Sequence, residues 1–172
     1  MTTPDQTMAV ITHAVALGHD GRPDDAREAL LALWSSLGPQ GDPLHRCTLA
    51  HYLADLYDDA AEALTWDVRA LDAADSLTND RAKSYDASLR VVAFYPSLHL
   101  NLADNYRRLG SFAAAQREID AARSRLHTLG DDGYGTLIRM AVADVEAAIR
   151  ERRTERRASA PTGGRAGSGV GQ

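Results

Sequence analysis

Apolar side chains recur along this chain in alternating steps of three and four, the spacing that stacks them on one face of an α-helix. Ala26, Leu30, Leu33, Trp34 and Leu37 follow it, and so do Leu49, Leu53, Leu56 and Tyr57. The clearest runs are Phe112, Ala115, Ile119, Ala122, Leu126 and Leu129, and then Tyr134, Leu137, Ala141, Val145 and Ala148. Polar punctuation divides them. Helices are predicted to begin near Pro23 and Pro43, with Asp42 as an N-cap before a first-turn proline. Asp59 stands three residues before Glu62 at capping-box spacing, Ser111 is placed to cap the stretch after Gly110, and Asp131 or Asp132 the one after Gly130. The pattern predicts about seven helices with short links and a turn around Asp80 to Arg90.

Composition supports helices and places the boundary of the domain. The 172 residues contain 30 Ala and 20 Leu against 4 Ile and 8 Val, and unbranched side chains lose little rotamer freedom in a helix. From Ala158 onward the chain is Ser, Ala, Pro, Thr, Gly and Arg with almost nothing apolar to repay the entropy of ordering. The expectation is one helical domain over residues 1–157 and a disordered tail over 158–172.

Charge is unevenly spread. The overall −5 combines a body of −9 with a segment from Ile149 onward of +4, rich in arginine (Arg150, Arg152, Arg153, Arg156, Arg157, Arg165). An acidic body is unsuited to tracking a phosphate backbone. In the arginine-rich segment, Glu151 and Glu155 can pair with arginines three or four residues away, so a solvated, fraying helix end is its expected state. Lys83 is the only lysine among 19 basic residues, a bias that points to a GC-rich bacterial genome, with an actinobacterial source as the expectation. The single cysteine, Cys47, has no partner for an internal disulfide. The opening Met1-Thr2-Thr3-Pro4-Asp5 lacks the cationic and apolar stretches of a signal peptide, and no apolar run approaches the ~20 residues of a membrane span. A cytoplasmic location is expected.

Helix pairs joined by short links invite a search for repeats. In Pro96 to Leu129, Leu102, Ala103 and Tyr106 occupy a first helix, Leu109-Gly110-Ser111-Phe112 forms a turn, and Ala115, Ile119 and Ala122 follow in a second. This segment resembles a tetratricopeptide repeat, with Ile119 at the place of an aromatic. Met8 to Leu37 is similar, with Ala14, Leu17, Gly21, Ala26, Leu30 and Leu33 at corresponding places. So is Leu44 to Leu77, with Leu49, Ala50, Leu53, Ala63 and Ala70, although Asp67 stands where the family has an aromatic and Trp66 lies beside it. The resemblance implies an all-α solenoid of about three helix pairs closed by a capping helix, Tyr134 to Arg150. It also implies a non-enzymatic adaptor or regulator that binds a protein or peptide on its concave face, without a cofactor. Small residues at Ala14, Ala50 and Ala103, and at Ala26, Ala63 and Ala115, would let paired helices cross closely.

On that concave face the resemblance places His51 and Asp55 of the second pair and Leu100, Asn101, Asp104, Arg107 and Arg108 of the third. Met8, Ile11 and Val15 of the first would form an apolar anchor or meet a second copy of the chain as a homodimer. Arginine can read carboxylates through two parallel hydrogen bonds. The family's grip on a terminal carboxylate needs cations that are missing, since only Asn101 stands at a matching position. The remaining trace of enzyme chemistry is Cys47, His51 and Asp55 at i, i+4 and i+8, a set that could ligate a metal with help from another helix. Against it, a lone helical cysteine is commonly a small buried hydrophobe. Another alternative is a nucleic-acid-associated regulator acting through the basic tail. Asp58-Asp59 and Asp131-Asp132 are explained by helix capping, and Trp34 and Trp66 by packing between helices.

Overall fold

The computed structural model describes residues 5–79 and 85–158, the helical positions between 78 and 91 through their backbone alone. Among the described residues the fold is all-helical, without strands: α1 (Gln6–His19), α2 (Pro23–Leu37), α3 (Pro43–Ala54), α4 (Ala60–Asn79), α5 (Tyr85–Arg108), α6 (Phe112–Ser124) and α7 (Gly133–Arg150), with a single 3-10 turn over Leu126–Thr128. Residues 159–172 of the expected tail lie outside the described residues. So do residues 80–84 of the turn expected around Asp80 to Arg90, and from Tyr85 the chain is helical, against that expectation.

Capping explains most of the helix starts. Asp42 accepts from the backbone N–H groups of Leu44 and His45, Asp59 from those of Ala61 and Glu62 at 2.9 and 3.0 Å, and Asp132 from that of Gly135. Ser111 stands at the N-cap of α6, but its side chain makes no capping bond. The start of the third pair moves. It was expected at Pro96, whereas α5 runs through Pro96. An interior proline removes one backbone hydrogen bond, but Tyr95 and Leu98 on either side of it are buried, and their packing holds the helix together across the gap.

The helices pack as successive pairs, α1 on α2, α3 on α4 and α5 on α6, while α1 also touches α3, α3 touches α5, and α5 touches α7. The small residues are where such packing needs them: Ala14, Ala50, Ala103, Ala26, Ala63 and Ala115 are all buried. Two apolar clusters form the core. One joins α1 to α4 and the first half of α5 through Ile11, Leu30, Leu49, Leu53, Leu77 and Leu98. The other joins α5, α6 and α7 through Leu100, Ile119, Ile138, Val142, Val145 and Ile149. Each such side chain contributes about 1.5–3 kcal/mol by leaving water. Ile11, expected on a binding face with Met8 and Val15, is therefore a core residue, and Met8 and Val15 pack against the same cluster. Trp34 and Trp66 meet edge to face with centroids 5.2 Å apart. The Arg46 guanidinium lies 4.0 Å over Trp34 and that of Arg69 4.3 Å over Trp66, which makes packing between helices their role.

The turns inside the pairs are not alike, and the difference shapes the site. After α1 and after α5 the chain reverses through glycines in the left-handed region, Gly21 at φ 79° and Gly110 at φ 76°. In each, the next residue's N–H bonds back to a carbonyl five positions earlier, Arg22 to Leu17 and Ser111 to Tyr106, a Schellman ending. Tyr57 stands at the corresponding place of the second pair. Without a glycine there, α3 stops at Ala54 and the link 55–59 presents Asp55, Asp58 and Asp59.

Candidate functional site

A cleft of about 460 Å³ opens between α3, α5 and α7. Its α3 wall carries His51 and Tyr52 with Asp55 beyond, its α5 wall Phe94, Ser97, Leu100 and Asn101, and its α7 wall Tyr134, Leu137, Ile138, Met140, Ala141 and Asp144. Sequence reasoning had Tyr134 and Leu137 in the core stripe of the last helix. The stripe that is buried runs through Ile138, Val142, Val145 and Ile149, so α7 is apolar on two faces. Tyr134, Leu137 and Met140 remain 47, 61 and 62% exposed. A helix with two apolar faces has one more than the core needs, and its second face lines the cleft.

Of the residues expected at the site, His51, Asp55, Leu100 and Asn101 line this cleft. Asp104 and Arg108 line an adjoining small pocket of about 60 Å³ together with Asp55, Asp67, Asn101 and Asn105. Leu100 also belongs to the second core cluster. Cys47 parts from the set. It lies at 0% exposure in the first core cluster, its thiol pushed up to about 12 chiefly by burial, while His51 and Asp55 turn toward Asp67 and Asn101. Among the described residues, no three His, Cys, Asp or Glu side chains are placed to hold a metal ion.

Asp67, which sequence reasoning noted only as a departure from the repeat pattern, is the centre of a buried polar cluster. It is 1% exposed. Asn105 donates to its carboxylate at 2.8 Å, and Asn101 lies between it and Asp55, 3.5 Å from each. His51 Nδ1 stands 3.8 Å from Asp67, a charge pairing too long for a hydrogen bond, and that buried nitrogen has no hydrogen-bond partner. Burial pushes Asp67 up to about 6, against the pull of His51. Burial acts to lower the His51 imidazolium, but the Asp67 and Asp55 carboxylates outweigh it and hold His51 above its ordinary value. Asp55 is raised as well, again chiefly by burial.

The arginine-rich segment after α7 differs most from expectation. It is not a fraying helix end. α7 closes at Arg150, and Arg152 takes φ 55°, so that Arg152 N–H bonds to the Ile149 carbonyl and Arg153 N–H to that of Ala148. This is another Schellman ending, with arginine in place of glycine. The left-handed conformation costs a non-glycine residue about 1–2 kcal/mol, and the Arg152 guanidinium, 4.5 Å over the Phe112 ring, offsets part of it. From there residues 153–158 return across α5 as a strap. Arg107, expected to face a ligand, is 1% exposed beneath this strap. It donates to the Arg153 carbonyl at 2.5 Å, to that of Glu155 at 2.9 Å, and twice to Asp104 at 2.7 and 3.0 Å. Arg108 donates to the Asp58 carbonyl, Arg156 pairs with the Asp58 carboxylate, and Arg157 reaches the Ala141 carbonyl at 3.3 Å. The glycine-free turn after α3 thus supplies acceptors to Arg156 of the strap and to Arg108 of α5.

Sequence reasoning missed Tyr52, Phe94, Met140, Asn105, Asp144 and Arg157 as parts of the site. The usable signals were Asp67 in an apolar register and the doubled apolar pattern of α7. Comparison with family models, with curated proteins and with solved structures finds no match to this chain.

Proposed function

We propose that this chain is a cytoplasmic, non-enzymatic adaptor of tetratricopeptide-like architecture that binds a peptide or protein segment in the cleft between α3, α5 and α7. The observation that carries the reading is the second apolar face of α7, open beside Tyr52 and Phe94 and floored by hydrogen-bonding groups. Clefts that bind other molecules combine apolar walls with a few placed polar groups, and exposed apolar patches of this kind mark interaction surfaces. Support for the repeat architecture comes from the order of contacts, in which α1, α3 and α5 each meet their own partner and the next odd-numbered helix. Alanines at corresponding places of the three pairs are buried, which suits a close approach of paired helices.

Capture of partners from the source cell, with wild type beside Leu137→Glu and Met140→Glu chains, tests the proposal. Both side chains are exposed, so the substitutions should leave helical circular dichroism unchanged, and a charge in the cleft should weaken capture by about tenfold or more. Unchanged partners for correctly folded variants would rule out the cleft as the interface.

A further inference from the structure

Beside the cleft, the strap's main chain and its arginines are held by α5 and its neighbours. Arg107 takes two of its carbonyls, Arg156 pairs with Asp58, and Arg157 stands 3.8 Å from Asp104 and 4.0 Å from Asp144. Arg157 borders both the small acidic pocket and the apolar cleft, so an occupant of the cleft meets it directly.

Two features mark the strap as an occupant that can be exchanged. Its arginine is imperfectly held: both ion pairs of Arg157 are long, and its buried Nε has no acceptor, which leaves a buried donor unsatisfied. Its own sequence brings no apolar side chain larger than alanine to the cleft, which leaves Leu137 and Met140 exposed. The charge around it is complementary to a cation. Three carboxylates, Asp58, Asp104 and Asp144, pair with the strap's arginines, and of the nearby α5 arginines Arg107 is already bound to Asp104.

We infer that the cleft takes an extended segment of a partner protein in which an arginine stands beside an apolar side chain, and that this segment competes with the chain's own strap for the Asp104–Asp144 end. The inference rests on the cleft being the interface. The partner's arginine replaces Arg157, its apolar neighbour covers Leu137 and Met140, and its main-chain carbonyls replace those of Arg153 and Glu155 on Arg107. The strap then acts as a built-in competitor that lowers apparent affinity by the fraction of time it is docked.

Fluorescence anisotropy of the full chain tests this with labelled synthetic peptides in a Gly-Ser spacer: Leu-Phe beside Arg-Arg, Leu-Phe beside Glu-Glu, and Leu-Phe alone. The Arg peptide should bind at least about tenfold more tightly than the Glu peptide, and Arg156→Gln with Arg157→Gln should tighten it further by about tenfold. Adding Asp144→Asn to that variant should reverse much of the gain. On the wild-type chain, saturating Arg peptide should speed amide exchange across residues 153–157 several-fold, a readout independent of how the variants fold. Binding without preference for arginine, or exchange over 153–157 unchanged at saturation, overturns the inference while the cleft stands as long as Leu137→Glu abolishes capture. If Leu137→Glu and Met140→Glu leave natural partner capture intact, the interface reading itself fails.

Discussion

Asp67 occupies a register position that its neighbours on α4 fill with apolar side chains, and the chain accommodates it by gathering His51, Asn101 and Asn105 around it. This arrangement ties stability to pH. In the folded chain Asp67 keeps its proton up to about pH 6, whereas unfolded it ionises near 3.8. The folded state therefore binds more protons between these values, and stability declines as pH rises through them. His51, raised above 6.5 when folded, adds the same sign: its contribution is full below 6.5 and is lost as pH rises through its folded value. Asp67→Asn should cost most stability in mild acid and least above neutrality, read from thermal unfolding midpoints across pH; a constant difference would refute the coupling. Arg107 has the opposite character, a buried cation whose acceptors are all supplied by its surroundings. Arg107→Ala should cost about 3 kcal/mol in urea unfolding and release residues 153–157 to exchange. Arg107→Lys should rescue little, since an ammonium cannot match the guanidinium fork across these acceptors.

At the level of single elements, the sequence was read well where a short-range rule decides the outcome. Asp42 with Pro43, Asp59 and Asp132 start helices by satisfying backbone N–H groups a few residues away, and such contacts depend on little beyond the local chain. The Schellman endings make the same point for glycine. Gly110→Ala should destabilise by about 1 kcal/mol because its φ of 76° is left-handed. Gly133→Ala should stabilise by about 0.5–1 kcal/mol, since the position is helical with nothing within 4 Å of an added Cβ. Opposite shifts in melting temperature would check both, and shifts of equal sign would contradict the backbone argument. Two elements escaped the local rules. Pro96 reads as a boundary, yet burial of Tyr95 and Leu98 carries α5 through it. Periodicity in α7 finds apolar faces but not which of them α5 and α6 will cover.

Across the whole molecule, the acidic body and the basic segment read as separate regions from composition become one surface when the strap crosses α5. That placement joins residues far apart in the chain, Arg107 to Arg153 and Asp58 to Arg156, and it sets the basic segment against acidic groups beside the cleft. The helical class, the caps at Asp42, Asp59 and Asp132 and the small residues inside the pairs were legible because each follows from spacing along one chain segment, whereas the grouping of His51, Asp55, Leu100 and Asn101 came from the resemblance to a repeat family. The exposed face of α7, the burial of Arg107 and the return of residues 153–158 were decided only in three dimensions. Each depends on which neighbour arrives to bury a face or to satisfy a charge, and one-dimensional periodicity carries no record of that neighbour.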